Sequence, residues 1–473
     1  MTPLSATALH HTLKTRFPDL VLLGPQDLAA RAPGEHPLNF AGGVMALPAS
    51  TAEAAAVIAF AAEARIPIVS HGGRTGLTGG GTSSEGQLIL STAKLDRIEA
   101  IHPGEKTVVA GAGVTLETLQ GALGLHGLTT RIDLASRGTA TLGGMVSTNA
   151  GGILAFRNGV MRHQVLGLEA VLPDGSVFSD MSRVIKVSAG PDLKHLLIGG
   201  EGAFGFVTRV VLKLESRNPA RSTALIGLPS AAAALTVASA LEARPSLQLE
   251  GAELMWSHFF RDSAKNHGFD LGWLADDTPA VLLTEVSGES EEQARAALET
   301  VLEELWETCG ITSGLVAQSL TQARRFWQLR EEADFIYREH PAAPSFDVSV
   351  PPESLDAYVA AFRTRLAEAD PALGAYVYGH MADGNLHISV THAAPDIAAS
   401  PDNPPLLAIE AAVYEGVQAL GGSFSAEHGI GLEKRHAYLT YADPVKRALA
   451  CTIKRALDPH LLFNPGKVPF VTG

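Results

Sequence analysis

The sequence of 473 residues is poor in cysteine, in long apolar runs and in positive charge. Its two cysteines, Cys309 and Cys451, cannot form a disulfide framework, so we expect a reducing cytoplasmic location, in solution or peripheral at an inner membrane. No apolar stretch approaches the length that spans a bilayer, and the first residues lack the layout of a secretory signal. The net charge of −14 argues against nucleic acid as a partner, because phosphate backbones bind basic surfaces.

Glycine, by contrast, is concentrated in the stretch "HGGRTGLTGGGTSSEG" (71–86), which follows an apolar run typical of a strand. Backbone can approach a ligand closely only where side chains are missing, and successive N–H groups bind anions. The loop therefore suits a pyrophosphate, although a flexible surface loop is an alternative for this stretch alone. It is neither a Walker P-loop nor a G-x-G-x-x-G that leads into a helix.

Changes in composition predict four segments. Residues 1–35 form an N-terminal helical segment, and residues 36–217 alternate β-rich runs with alanine-rich helical runs, with a hairpin turning at Asp174-Gly175. Residues 218–415 mix helices and strands and predict a second α+β domain. Residues 416–473 are predicted to be mainly helical.

Two further glycine-rich segments, at 135–152 and 198–210, accompany the loop. In this order and spacing the three segments resemble the FAD-binding domain of the vanillyl-alcohol oxidase flavoproteins, also called the p-cresol methylhydroxylase type. The resemblance covers residues 36–217. It implies an α+β protein in which this FAD-binding domain precedes a ferredoxin-like substrate domain and a C-terminal segment.

The resemblance also implies which residues bind FAD. The pyrophosphate would be wrapped by Arg74, Thr75, Gly76, Leu77, Gly79 and Gly80, with Pro67 near the adenine. The ribityl and flavin side would be lined by Gly138, Thr139, Gly143, Gly144, Ser147, Asn149, Gly151 and Gly152, and the cradle completed by Glu201, Val207 and Asn464. Because "TGLTGGG" contains no histidine or cysteine, we expect noncovalent FAD, and we interpret His71 as structural.

A second site is predicted in "AYVYGHMADGNLHISV" (375–390). If Asp383-Gly384 is a two-residue hairpin turn, His380 lies directly opposite His387, about 5 Å away on one sheet face. Two imidazoles at that spacing can bind one metal ion, although two half-buried polar side chains on a hairpin are the alternative. Glu427 and His428 lie in the glycine-bounded "GGSFSAEHGIG" (421–431), where a His, His, Glu set would suit zinc or manganese, and a solvated loop pair is the alternative.

With the C-terminal "FNPGK", these residues resemble the FAD-dependent D-2-hydroxy acid dehydrogenases, the family that includes D-lactate and D-2-hydroxyglutarate dehydrogenases and the flavin subunit of glycolate oxidase. The resemblance implies that His380, His387 and Glu427 hold the metal and that His428 is the catalytic base. Arg330 would bind the substrate carboxylate, and Ser345 and Asn385 would also contact substrate. The alternative for Arg330 is an exposed helix charge.

One position departs from the hydroxyglutarate-type pattern. Ser345 precedes "FDVSVP" where those members have a lysine for the distal carboxylate, and serine supplies no charge. We therefore expect a D-lactate-like monocarboxylate substrate, with D-2-hydroxyglutarate or glycolate as alternatives. An alkyl-dihydroxyacetone-phosphate synthase-like enzyme and a non-catalytic flavin module are further alternatives. The expected electron acceptor is a quinone, a cytochrome or an electron-transfer flavoprotein, and a homodimer is the oligomeric state expected from relatives.

Overall fold

The structure, a computed structural model, describes residues 4–397 and 403–471. Contacts within it define two compact units, one made of Met1–Arg217 with Glu427–Gly473 and the other of Asn218–Ala426. The first division lies at the end of the predicted cofactor domain. The second lies after Ala426 rather than after residue 415, so the loop that carries Glu427 and His428 begins at a division between units.

The N-terminal part of the first unit contains a four-stranded sheet in the order β1-β2-β4-β3. Its elements are α1 (Ala6–Arg16), β1 (Val21–Leu23), α2 (Pro25–Ala29), β2 (Met45–Leu47), α3 (Thr51–Ala64), β3 (Ile68–His71) and β4 (Leu88–Ser91), with a 3-10 helix at Pro37–Phe40. β2, β4 and β3 run parallel. α3 begins where the Ser50 hydroxyl accepts the Glu53 N–H, and its buried alanines and Ile58 pack into the core of this sheet.

The rest of that unit's first segment forms an antiparallel sheet in the order β5-β6-β10-β8-β9, and β7 also pairs with β10. Its elements are β5 (Ile98–His102), β6 (Thr107–Gly111), α4 (Leu116–Gly124), β7 (Leu128–Thr130), α5 (Leu142–Thr148), α6 (Ala155–Asn158), α7 (Met161–Gln164), β8 (Val165–Val171), β9 (Val177–Asp180) and β10 (Phe206–Ser216), with a 3-10 helix at Leu193–Leu196. The predicted hairpin is confirmed, with Gly175 at φ +87° in the turn between β8 and β9.

The second unit is built on a seven-stranded antiparallel sheet in the order β14-β11-β13-β12-β16-β17-β15. Its elements are β11 (Arg221–Leu228), α8 (Ala231–Glu242), β12 (Gln248–Trp256), α9 (Ser257–Asn266), β13 (Ala280–Ser287), α10 (Glu291–Leu305), β14 (Ser313–Val316), α11 (Leu320–Glu331), α12 (Phe335–Glu339), β15 (Ser345–Ser349), α13 (Leu355–Ala369), β16 (Gly374–His380), β17 (Asn385–Thr391) and α14 (Pro404–Tyr414), with 3-10 helices at Pro352–Ser354 and Met381–Asp383. The first four strands, with α8 and α10 between them, have the ferredoxin-like order predicted from the sequence. The sheet face that carries Leu225, Met255 and Leu283 packs against α9, α11 and α12.

The remaining elements, α15 (Arg435–Tyr441) and α16 (Pro444–Leu457), belong to the C-terminal part of the first unit. Beyond them Phe463 forms a parallel bridge with Ile68, so the "FNPGK" segment lies beside β3. The α+β fold class is confirmed. Among the described residues, no helix combines the length and apolar character needed to cross a membrane.

Candidate active site

In the glycine-rich loop of the first unit (71–86), several backbone carbonyl groups are hydrogen-bonded to other parts of the protein. The carbonyl oxygens of Arg74, Thr78 and Gly81 accept hydrogen bonds from Glu35, Leu432 and the His71 ring. Within the described residues, no N–H from Gly73 to Gly81 donates a hydrogen bond. Successive backbone N–H groups without a partner in the protein can bind an anion, and a Cβ added at Gly76 would have no neighbour within 4 Å. The loop therefore fits a diphosphate.

The three glycine-rich segments meet in this unit. A Cβ at Gly73 would lie 2.0 Å from the Thr139 carbonyl oxygen, so the first and second segments touch through backbone. The Glu201 N–H donates to the Ser147 carbonyl at 2.8 Å, which joins the third segment to the second. Asn464 of "FNPGK" donates its side-chain amide to the Glu201 carbonyl. The structure thus brings most of the predicted FAD residues into one region.

The predicted FAD residues differ in exposure. Gly76, Leu77, Gly138 and Thr139 are exposed; Pro67, Arg74, Thr75, Gly80, Gly144, Ser147, Asn149 and Glu201 are half-buried; and Gly79, Gly143, Gly151, Gly152, Val207 and Asn464 are buried. The Val207 side chain lies in the apolar core, and its backbone pairs with Ala170.

His71 ties the two ends of the loop together. Its Nε2 lies 2.7 Å from the Gly81 carbonyl oxygen, and its side chain is buried. Burial lowers the pKa of His71 to about 3, outweighing the hydrogen bond to Gly81. The imidazole is therefore neutral, and its role is structural.

The predicted register of the hairpin is wrong, although the two histidines are neighbours. The turn is a 3-10 turn at Met381–Asp383 followed by Gly384 at φ +75°, so His380 lies opposite Asn385, and His387 lies opposite Tyr378. The shift is two residues, so both histidines keep the same sheet face as diagonal neighbours. Their ring centroids are 5.4 Å apart.

A buried carboxylate holds His380 and Arg330 from the adjacent strand. In β12, Glu253 has a side chain only 1% exposed, with Oε1 2.7 Å from His380 Nδ1 and Oε2 2.8 Å from Arg330 Nε. Burial raises the pKa of Glu253, but the charges of His380 and Arg330 outweigh it and hold that pKa below its usual value. The contact with Nδ1 fixes the orientation of the His380 ring, as a carboxylate partner does for an imidazole.

Arg330 is therefore buried rather than the exposed helix charge that was the alternative. Its guanidinium lies 4.8 Å from the centroid of the Tyr378 ring. The contact between Arg330 Nε and Glu253 is an ion pair, and within the described residues no guanidinium nitrogen of Arg330 donates a hydrogen bond of good geometry. The planar end of Arg330 can thus bind a carboxylate with paired hydrogen bonds.

Asn385 and Asp347 add polar groups to the same face. Asn385 donates Nδ2 to Asp347 Oδ1 at 2.8 Å, while its buried Oδ1 has no hydrogen-bond partner within the described residues. An unsatisfied buried acceptor suits a ligand hydroxyl. Ser345, predicted to contact substrate, is exposed at the edge strand β15 and lies opposite Ser389.

Asp347 also fixes the end of the second unit. Its Oδ2 accepts the Ala426 N–H at 3.0 Å, so Glu427 follows a residue anchored to β15. In the first unit the Glu427 carboxylate accepts a hydrogen bond from the Gly152 N–H. The backbone carbonyl oxygen of the half-buried His428 accepts a hydrogen bond from the Thr78 hydroxyl at 3.1 Å.

Three residues of these sites were missed by the sequence analysis: Glu253, Asp347 and Thr78. Thr78 lies within the predicted loop, between Leu77 and Gly79, but was not assigned a role. Asp347 stands in the quoted "FDVSVP", and an acidic residue at the centre of an apolar strand is a usable signal. Glu253 in "GAELMW" has the same pattern, but only the pairing of β12 with β16 reveals its partners.

Comparison with known proteins identifies the family of the chain. Residues 43–180 match the family model "FAD binding domain", and residues 217–468 match "FAD linked oxidases, C-terminal domain". A D-2-hydroxyglutarate dehydrogenase of Xanthomonas citri pv. viticola is 36% identical, covering 90% of this chain and 88% of the relative. The mitochondrial D-2-hydroxyglutarate dehydrogenase of Arabidopsis thaliana is 31% identical, covering 92% of this chain and 76% of the relative.

Solved structures share the fold at lower identity. p-Cresol methylhydroxylase superposes with a TM-score of 0.70 at 17% identity, covering 94% of this chain and 93% of that one. An alkyldihydroxyacetonephosphate synthase superposes with a TM-score of 0.64 at 15% identity, covering 89% and 76%. At such identities the likeness concerns the fold alone.

Proposed function

The chain belongs to the FAD-linked oxidases and is an FAD-dependent oxidoreductase, and on that premise we propose that it oxidises D-2-hydroxyglutarate to the 2-oxo acid. The observation that carries the proposal is the buried Glu253 carboxylate, which holds Arg330 for a carboxylate and His380 for a metal.

We base the proposed substrate on the relatives rather than on the identity of residue 345, Ser345. The expected D-lactate-like monocarboxylate rested on one serine in the place of a lysine. The relatives named D-2-hydroxyglutarate dehydrogenase match about nine-tenths of the chain, and they favour what the sequence analysis gave as an alternative.

We propose zinc or manganese as a second cofactor, held by His380, His387 and Glu427. The hairpin supplies two imidazoles on one sheet face. Chain connectivity supports Glu427, because the preceding residue, Ala426, is hydrogen-bonded to Asp347, which lies opposite His387. Two histidines and a carboxylate form a common ligand set for such ions.

When bound, FAD accepts the hydride at N5 and the divalent cation lowers the pKa of the substrate hydroxyl. In this proposal, Arg330 binds the substrate carboxylate and so fixes which face of Cα is presented. Asn385, which lies opposite His380, contacts the substrate from the same sheet face. His428 accepts the proton that the oxidised hydroxyl loses, since imidazole titrates near neutrality. The proposed electron acceptor is a quinone, a cytochrome or an electron-transfer flavoprotein, and the proposed working form is a homodimer.

Anaerobic reduction of bound flavin tests the proposal. The purified protein is mixed with D- and L-2-hydroxyglutarate, D- and L-lactate and glycolate, and the visible flavin absorbance is followed. We expect D-2-hydroxyglutarate to bleach the flavin fastest and its L enantiomer not to. Faster bleaching by D-lactate would instead show that the preferred substrate is a monocarboxylate. No bleaching by any acid would contradict the dehydrogenase assignment and favour the non-oxidative or non-catalytic alternatives.

A further inference from the structure

The backbone of the loop that carries His428 is hydrogen-bonded to Thr78 and Glu201 of the cofactor-binding part of the first unit. The Thr78 hydroxyl donates to the His428 carbonyl at 3.1 Å, and the Thr78 carbonyl accepts the N–H groups of Leu432 and Glu433 at 2.8 and 3.1 Å. The Glu201 carboxylate accepts the N–H groups between these points, from Ile430 at 2.8 Å and from Gly431 at 2.7 Å, one on each oxygen. Residues 428–433 are therefore held at both ends and in the middle.

The glycines on either side of Ile430 are required by this attachment. Gly429 has φ +74°, and a Cβ there would lie 2.8 Å from Glu201 Oε1. Gly431 has φ +53°, and a Cβ there would lie 2.1 Å from the Thr78 carbonyl oxygen. Side chains at these positions would push the loop away from both partners. The spacing "HGIG" after Glu427 thus reflects close backbone approach.

Glu201 was expected from the sequence to contact FAD, but its carboxylate is used differently. Both oxygens accept backbone N–H groups of residues 430 and 431. A carboxylate directed at a diphosphate would also be repelled by its charge. The backbone of Glu201, in contrast, remains with the cofactor segments, since its N–H donates to Ser147 and its carbonyl accepts from Asn464.

We propose that Thr78 and Glu201 are positioning residues that set the place of His428 relative to the bound cofactor. The inference rests on the proposed function, in which His428 accepts the substrate proton. Thr78 lies among the loop amides that fit the diphosphate, so one loop holds the cofactor and fixes the base. A small displacement of a base from its proton slows proton transfer without changing the affinity for substrate.

Stopped-flow flavin reduction at saturating D-2-hydroxyglutarate tests this role. Thr78→Val keeps the shape of the side chain but removes the hydrogen bond to His428. We expect reduction to slow about 10-fold, the equivalent of one lost hydrogen bond, with unchanged substrate dissociation constant and FAD content. Thr78→Ser should recover most of the rate. Thr130→Val is the matched control, because Thr130 is equally buried and donates to a backbone carbonyl, that of Ile132, outside this loop.

A double-mutant cycle shows whether Thr78 acts through His428. In a His428→Ala background, Thr78→Val should cause no further slowing, because the group it positions is gone. Glu201→Gln, which places an amide NH₂ against a backbone N–H, should behave in the same way and replaces Thr78→Val if that variant does not fold. Additive slowing in the double variant, or wild-type reduction by both single variants while His428→Ala is slow, would overturn the positioning role alone. Wild-type reduction by His428→Ala would instead overturn the proposed base and the inference that rests on it.

Discussion

Replacing Glu253 by glutamine tests the pairing that supports the proposed site. The side chain of Glu253 is 1% exposed and lies within 2.8 Å of both Arg330 and His380. Glu253→Gln has nearly the same shape but leaves the buried Arg330 charge without its counterion. Breaking a buried ion pair on one side costs about 3 kcal/mol or more, which lowers the melting temperature of a unit of this size by roughly 6–12 °C.

The same substitution should also weaken metal binding. An imidazole whose second nitrogen is held by a carboxylate is a better ligand, and loss of such a partner costs about 10–100-fold in metal affinity. Titration of metal-stripped protein with zinc, followed calorimetrically, measures this change. FAD content should be unaffected, because Glu253 and the glycine loop belong to different units.

Glu285→Gln provides the matched control. Glu285 is also a buried carboxylate on a neighbouring strand, paired with Arg221 and accepting the Trp327 N–H at 2.9 Å. It should lose comparable stability while keeping the wild-type zinc affinity. If Glu253→Gln and Glu285→Gln bind zinc equally well, Glu253 does not act on a metal ligand and the reasoning is refuted.

Further predictions concern the cofactor loop and the base. Gly76→Ala should fold normally, because the added methyl group meets no protein atom, yet bind FAD at least about 10-fold more weakly by fluorescence titration, because the methyl group would meet the bound diphosphate. Equal weakening by Gly104→Ala, where a Cβ also meets no protein atom, would contradict this. Acid precipitation should release all flavin, and colour left in the pellet would show a covalent bond. Burial lowers the pKa of His71 to about 3, so between about pH 6.5 and pH 3 the unfolded chain binds a proton that the folded chain does not. The free energy of unfolding therefore decreases as the pH falls through this range. His71→Gln should recover about 2 kcal/mol of the unfolding free energy lost between pH 7 and pH 5, measured by urea denaturation, and an unchanged pH dependence would place the buried proton elsewhere. His428→Ala should slow flavin reduction about 10²–10⁴-fold while retaining FAD and metal, and wild-type reduction would exclude it as the base.

Local sequence patterns correctly predicted those features that depend only on residues close together in the sequence. The helix at residues 51–64, the glycine loop after β3 and the Asp174-Gly175 turn all follow from composition and spacing over a few residues. The Asp383-Gly384 pair correctly predicted the place of a hairpin, but it predicted the wrong kind of turn, one of two residues. The chain instead forms a 3-10 turn, in which the Asp383 carboxylate accepts the Asn385 N–H. Since the error was an even number of residues, the two histidines kept their common face.

The partners that come from distant segments could not be predicted in this way. Glu253 meets His380 across a strand pair separated by more than a hundred residues, and no periodicity within either strand reveals which strands are neighbours. The role of Glu201 was inferred from its segment, whereas its side chain is bonded to residues 430 and 431. The expectation of a D-lactate-like substrate was based on a single serine, Ser345. The similarity to proteins named D-2-hydroxyglutarate dehydrogenase extends over about 90% of the chain and favours the alternative.

The most direct test of the central claim is anaerobic flavin reduction by D-2-hydroxyglutarate before and after removal of the metal. We expect rapid bleaching by the D enantiomer, little by the L enantiomer, loss of bleaching after chelation, and recovery when zinc or manganese is restored. Undiminished bleaching in metal-free protein would contradict the proposed role of His380, His387 and Glu427. Failure of D-2-hydroxyglutarate to bleach the metal-loaded protein would contradict the proposed function itself.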